Sequence, residues 1–251
     1  MSKNFELFQK LGREQELLQP ATVADGRPAP MASPPAASAD GTVAAGMEQI
    51  VALVQNVFLA SGAAAPRTVV FSSPEPETGC TWVCKHAAEV LASRVAGSVC
   101  LVDGNLHAPA MHQQFSVDNP RGLAEALIEA DPIRTFARLL AAPNLWLISS
   151  GADAEAARGL LGSDRMRLRI TELRKEFDYV LIDTAAMSIS HDATGIGSLA
   201  DGVVLVLKAN SSRRETARQA VDNLQAGKAK VLGAVLNQRT YPIPESIYKR
   251  L

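Results

Sequence analysis

Cysteine is scarce: three residues, Cys80, Cys84 and Cys100, in a chain of 251. An odd, sparse set does not build a disulfide framework, so stability must come from an ordinary apolar core. Excess charge is also lacking. Lys+Arg number 25 and Asp+Glu 26, for a formal net charge of -1. That balance gives no electrostatic basis for binding nucleic acid or an anionic membrane. No apolar run reaches the length of a membrane span and no secretory signal opens the chain, so the expected location is the cytoplasm. Aromatic residues make up 5% against a hydrophobic content of 47%, which describes an aliphatic core. No internal repeat is visible.

What is present divides the chain into three. Residues 1–18 carry a helical pattern, with Ser2 or Asn4 as a start signal and Phe5, Phe8 and Leu11 near one face, interrupted by Gly12. Residues 19–46 are rich in Ala, Pro, Gly and Ser and have too few large apolar groups to bury, as in a disordered linker. Residues 47–251 form the expected domain. Met47–Ala60 places Met47, Ile50, Val51, Val54, Val57 and Phe58 on one helix face. Apolar runs then alternate with helical patterns. Thr68–Ser72, Ser98–Asp103, Leu145–Ser149, Tyr179–Asp183, Gly202–Lys208 and Lys230–Asn237 read as strands. Thr81–Val95, Met166–Glu176 and Arg213–Gln225 read as helices. Continuous Val/Leu/Ile runs are strands buried on both faces, which predicts an α/β fold with a mostly parallel sheet covered by helices. Ligands of such sheets sit at the carboxyl ends of the strands.

Three of these strand ends carry chemistry. The first runs into Ser72–Thr81, "SSPEPETGCT", which has the place and shape of a phosphate-binding loop but Cys80 where such a loop needs Lys. The second and third end at Asp103 and Asp183. A carboxylate closing a buried strand is costly unless paired. Two of them beside a Gly-x-Thr loop suit a Mg²⁺–nucleotide site, with Thr81, Asp103 and Asp183 on the metal or its waters. The plainer reading makes each Asp a helix cap or turn residue.

These motifs resemble the cytoplasmic domain of bacterial tyrosine kinases of capsule and exopolysaccharide biosynthesis, relatives of the Mrp/MinD-type P-loop ATPases. The family's loop, S-x-x-P-G-E-G-K-S/T-x-x-x-x-N-L-A, corresponds to "SPEPETGCTWVCKHAAEVLA". Its second motif, L-I-D-x-D-x-R-x-P, stands as "LVDGNLHAP", and I-I-D-T-P-P stands as "LIDTAA". The resemblance extends from about Met47 to the C-terminus and implies a P-loop NTPase-like fold. It implies a nucleotide site at Gly79, Cys80, Thr81, Trp82 and Asn237, Mg²⁺ at Thr81, Asp103 and Asp183, and self-association through the helix before the first strand. The implied partner is a membrane polysaccharide co-polymerase, a chain-length regulator or a kinase paralogue, which would recruit the domain to the inner face of the membrane. Nucleic acid is not expected as a partner. A positioning ATPase of the MinD/ParA kind ranks last, since no basic amphipathic helix ends the chain.

The departures fall on working groups. Cys80 replaces the lysine that neutralises β/γ-phosphates. Glu77 replaces a glycine that lets loop N–H groups face phosphate, and Glu75 and Glu77 add negative charge. Asn105 stands at the position of the family's base and cannot accept the proton. His107 stands for Arg, and Tyr241 and Tyr248 do not form the usual C-terminal tyrosine cluster. Together they predict a pseudokinase that regulates or scaffolds, with Mg-ATP weakly held if held at all. The alternative is an active autokinase that borrows a cation such as Lys208, Arg213 or Arg214. Smaller signals remain open. Cys80, Cys84, His86 and His107 admit a metal site, and Cys80 at a helix N-terminus admits a low-pKa thiol. Trp82 either covers the pocket or packs on the sheet. Asn237 either contacts adenine or caps a turn.

Overall fold

The computed structural model describes residues 39–59 and 65–238. The helix expected over 1–18, most of the linker, and Tyr241 and Tyr248 lie outside the described residues.

Among the described residues seven strands form one sheet: β1 Thr68–Ser72, β2 Val99–Asp103, β3 Arg138–Leu139, β4 Leu145–Ile148, β5 Tyr179–Asp183, β6 Gly202–Lys208 and β7 Val231–Asn237. Their spatial order is β3-β4-β2-β5-β1-β6-β7. All neighbours are parallel except β3, which pairs antiparallel with β4. The inner strands β1 and β2 are buried at every position, as their unbroken apolar runs require. Side chains alternate between two cores. Val69 and Phe71 face one layer with Ile50, Val54, Phe58, Val83 and Leu91. Val70 faces the other, with Leu123, Met166, Ile170, Ile196 and Leu224.

The first layer is made by α1 (Ala39–Val54) and α2 (Cys80–Arg94). The second uses α4 (Leu123–Ile128), α6 (Asp164–Glu176), α7 (Asp192–Leu199) and α8 (Arg214–Ala226). Short helices α3 (Met111–Gln114) and α5 (Ala154–Ala157) complete the connections. Two boundaries differ from expectation. Helix α1 begins at Ala39 rather than Met47, because the stretch before Met47 is rich in alanine, the strongest helix former. Its end is a π-helical turn, Gln55–Leu59, with Phe58 buried.

The chain leaves central β1 for β2, β3 and β4 on one side, returns to β5, and then builds β6 and β7 on the other. The reversal opens a crevice at the carboxyl ends of β1, β2 and β5. The Ser72–Thr81 loop, Asp103 and Asp183 all come to it.

Candidate nucleotide site

Asp103 and Asp183 are register partners on adjacent strands. Both are fully buried. Asp103 accepts from the Met111 N–H through Oδ2 at 3.2 Å, so the plainer capping role is half true: it fixes the start of α3. Asp183 accepts from the Thr81 hydroxyl through Oδ2 at 2.6 Å. In each carboxylate Oδ1 is buried with no hydrogen-bond partner among the described residues. Burial raises Asp103 from 3.8 to about 6, against the backbone N–H groups that favour its charged form. Burial and then the Asp103 charge raise Asp183 to about 7, opposed by the Thr81 hydroxyl that donates to it.

The loop keeps its backbone shape. Glu77 and Gly79 are both left-handed, at φ 60° and 79°. Glu77 therefore takes the conformation for which the family uses glycine, and the expectation that Glu77 removes the loop's shape is corrected. The αL penalty is only about 1–2 kcal/mol, small enough for the surrounding fold to impose. None of the N–H groups from Glu77 to Trp82 donates to a described residue. Such a run at a helix N-terminus is an anion nest.

The loop does not keep its charge. The Cys80 side chain is buried. Burial first, then the charge of Asp183 and the neighbouring Cys84, push its thiol up, so it stays protonated. The low-pKa thiol allowed by the sequence is thereby corrected. Lys85 points away, donating to the Gln114 carbonyl at 3.2 Å and lying over the Phe115 ring. Lys208 ends β6, Arg213 and Arg214 open α8, and none of the three forms an ion pair among the described residues.

Asn105 uses its side-chain oxygen to accept from the Ala108 N–H at 3.1 Å, which makes it a turn residue. His107 faces Asp192, the first residue of α7, at 3.4 Å. Trp82 stacks on His86 with ring centroids 4.1 Å apart, and a Cβ on Gly46 of α1 would lie 3.6 Å from the indole. It packs between helices. His86 turns back to the Trp82 carbonyl at 2.8 Å. Among the described residues no three His, Cys, Asp or Glu side chains converge on a metal cluster, so Cys80, Cys84, His86 and His107 do not form one. Asn237 lies against Gly79 and bonds to the Thr78 carbonyl, a contact that sequence spacing does not reveal.

No family profile matches the chain. Individual proteins do. It is 28% identical over 190 residues to the tyrosine-protein kinase YwqD of Bacillus subtilis, covering 76% of this chain and 80% of YwqD. The chain is a relative of the bacterial tyrosine kinases. It is also 26% identical over 175 residues to the succinoglycan biosynthesis transport protein ExoP of Rhizobium meliloti, covering 68% of this chain but only 22% of ExoP. The kinase domain of Escherichia coli tyrosine kinase ETK superposes with a TM-score of 0.70 at 22% identity, covering 78% of each chain. That likeness carries the P-loop fold.

The residues present fit a divalent cation: two orphaned, desolvated carboxylate oxygens and an adjacent hydroxyl are the hard oxygen donors that Mg²⁺ takes. They fit a phosphate only through backbone N–H groups, because position 80 supplies no positive charge.

Proposed function

We propose that the protein is a tyrosine-kinase-like component of an exopolysaccharide or capsule system in which phosphoryl transfer has been lost. The domain then acts by regulating or scaffolding a membrane-bound polymerisation and export complex. The observation that carries this reading is the state of position 80. A buried, protonated thiol stands where phosphoryl transfer needs a cation, and Lys85, the nearest basic residue on α2, is committed elsewhere. A lost pre-organised charge at such a site costs about 3–4 kcal/mol of transition-state stabilisation, on the order of 10²–10³ in rate. Asn105 adds the loss of a proton acceptor. The name of ExoP supports the polysaccharide setting, and a partner in the membrane would supply the recruitment that this chain's charge does not. If a nucleotide binds, Thr81, Asp103 and Asp183 hold its Mg²⁺, which would neutralise phosphate charge.

Purified protein given Mg-ATP is expected to form no phosphotyrosine and to show no micromolar binding by titration calorimetry. Micromolar binding with transfer to tyrosine would overturn the reading in favour of an active autokinase. One observation favours that second reading: Lys208, Arg213 and Arg214 follow from β6, whose neighbour β1 leads into the loop, and form no ion pair among the described residues.

A further inference from the structure

The phosphate loop is fastened on both sides. On one side main chain holds it: Met187 donates to the Ser73 carbonyl at 2.8 Å and Ser188 to the Pro74 carbonyl at 3.1 Å. On the other, side chains from the last strand hold it. Asn237 donates from Nδ2 to the Thr78 carbonyl at 2.8 Å. Gln238 reaches the Glu77 carbonyl at 3.5 Å from Nε2. Asn237 is itself anchored, because its carbonyl accepts from Ala209 at 2.9 Å in the turn after β6. Gly79 permits the approach, since a Cβ there would collide with the Asn237 amide. Between the two fastenings sits Glu77, a non-glycine residue in the left-handed region. Such a conformation persists only where its surroundings impose it.

We propose that Asn237 and Gln238 are a latch, positioning residues that hold the phosphate loop in its nested shape without a nucleotide. The Asn237 amide is committed to the loop carbonyl and is not free to read a base. The latch explains how a loop with an unfavourable Glu77 keeps an anion nest when no lysine–phosphate contact stabilises it. It stands whether or not the domain transfers phosphate.

Cys80 is a native reporter of the latch. It lies directly behind Gly79 and is 8% exposed, while Cys84 and Cys100 are 0% exposed. The full chain, Asn237→Ala, Asn237→Asp and Gln238→Ala are compared by hydrogen exchange and by N-ethylmaleimide labelling mapped to individual cysteines. Loss of the Asn237 bond should raise labelling of Cys80, and exchange of the Val83 amide that donates to the loop's Gly79 carbonyl, about five-fold, with β2 and β5 amides unchanged. The Asp variant removes the donor without leaving a cavity and should match Ala. The exposed Gln238 variant, with its longer bond, should give a smaller rise in the same two signals. Unchanged Val83 exchange and Cys80 labelling in the Asn237 variants overturn the proposal. So does a rise in β2 and β5 exchange by the same factor, which would make Asn237 a strut of the whole fold.

Discussion

Asp183→Asn probes the buried carboxylate pair. Both aspartates are 0% exposed, and each leaves one oxygen without a partner among the described residues. A folded-state value above the unfolded one means that the folded protein holds the proton more tightly. The resulting stability is complete below about pH 4 and is lost as pH rises toward 7. For Asp183 the rise from 3.8 to about 7 corresponds, at 1.36 kcal/mol per pH unit, to a ceiling near 4 kcal/mol. Part of that ceiling is repulsion from Asp103, whose own value is raised to about 6, so the single-site figure is smaller. Asparagine keeps the shape and the oxygen that accepts from Thr81, and it cannot ionise. The variant should gain about 2–4 kcal/mol over the native protein near pH 8 in EDTA, and almost nothing near pH 4. Urea denaturation at the two pH values measures both. Adding Mg²⁺ near pH 8 should narrow the gap, because the cation stabilises only the protein that still has both carboxylates. A variant less stable than the native protein near pH 8, or a gain of equal size near pH 4, would refute the reasoning.

Three further changes separate charge from shape. Cys80→Lys should tighten Mg-ATP binding at least ten-fold by calorimetry, since a charge-assisted hydrogen bond contributes about 1.5–3 kcal/mol; phosphotyrosine should appear only when Asn105→Asp is added, and its appearance in the native protein refutes the assignment. Glu77→Gly relieves the left-handed cost but gives the unfolded chain more freedom, so a net gain of about 0.5 kcal/mol is expected by chemical denaturation, and a clear loss would contradict the φ of 60°. Arg169→Ala should cost about 3 kcal/mol in the same assay, because this buried guanidinium serves the carbonyls of Ala126, Glu129 and Asp131 together with Glu172; a loss under about 1 kcal/mol would make it an ordinary surface pair.

The fold was legible where burial dictates composition. Unbroken apolar runs marked β1, β2, β4, β5 and β6, because strands covered on both faces tolerate little else; β7 was marked by the same kind of run although it is an edge strand with no buried residue. β3 was not legible: it is a two-residue edge with both side chains exposed, and no pattern constrains it. In the site, Thr81, Asp103 and Asp183 were legible because an aspartate at the end of a buried strand is an anomaly that demands a cause. The fastening of the loop was not, since Asn237 and Thr78 lie 159 residues apart. Nor was the conformation of Glu77. Composition argued against a nest at that position, but a backbone penalty of about 1–2 kcal/mol is smaller than the tertiary forces that set the loop.

The replacement of lysine by cysteine also has an internal logic. A P-loop cation standing beside Asp183 would favour its ionised form. With Cys80 in that place no cation opposes burial and the Asp103 charge, which push the carboxylate to about 7, while burial pushes the thiol up and keeps it neutral. The charge removed from the loop is thus matched by charge withdrawn from the strand end, and a neutral thiol beside a proton-holding carboxyl takes the place of an ion pair. Removing one partner of a buried pair normally costs several kcal/mol because the other is left charged; here proton uptake by the carboxylate avoids that cost. A site adjusted in this way is stable without Mg-ATP. Restoring the loop cation through Cys80→Lys should therefore return Asp183 to its ionised form even before any nucleotide is added. The pH dependence of stability assigned to Asp183 should be lost in that variant, and its persistence there would show that the two positions are not coupled.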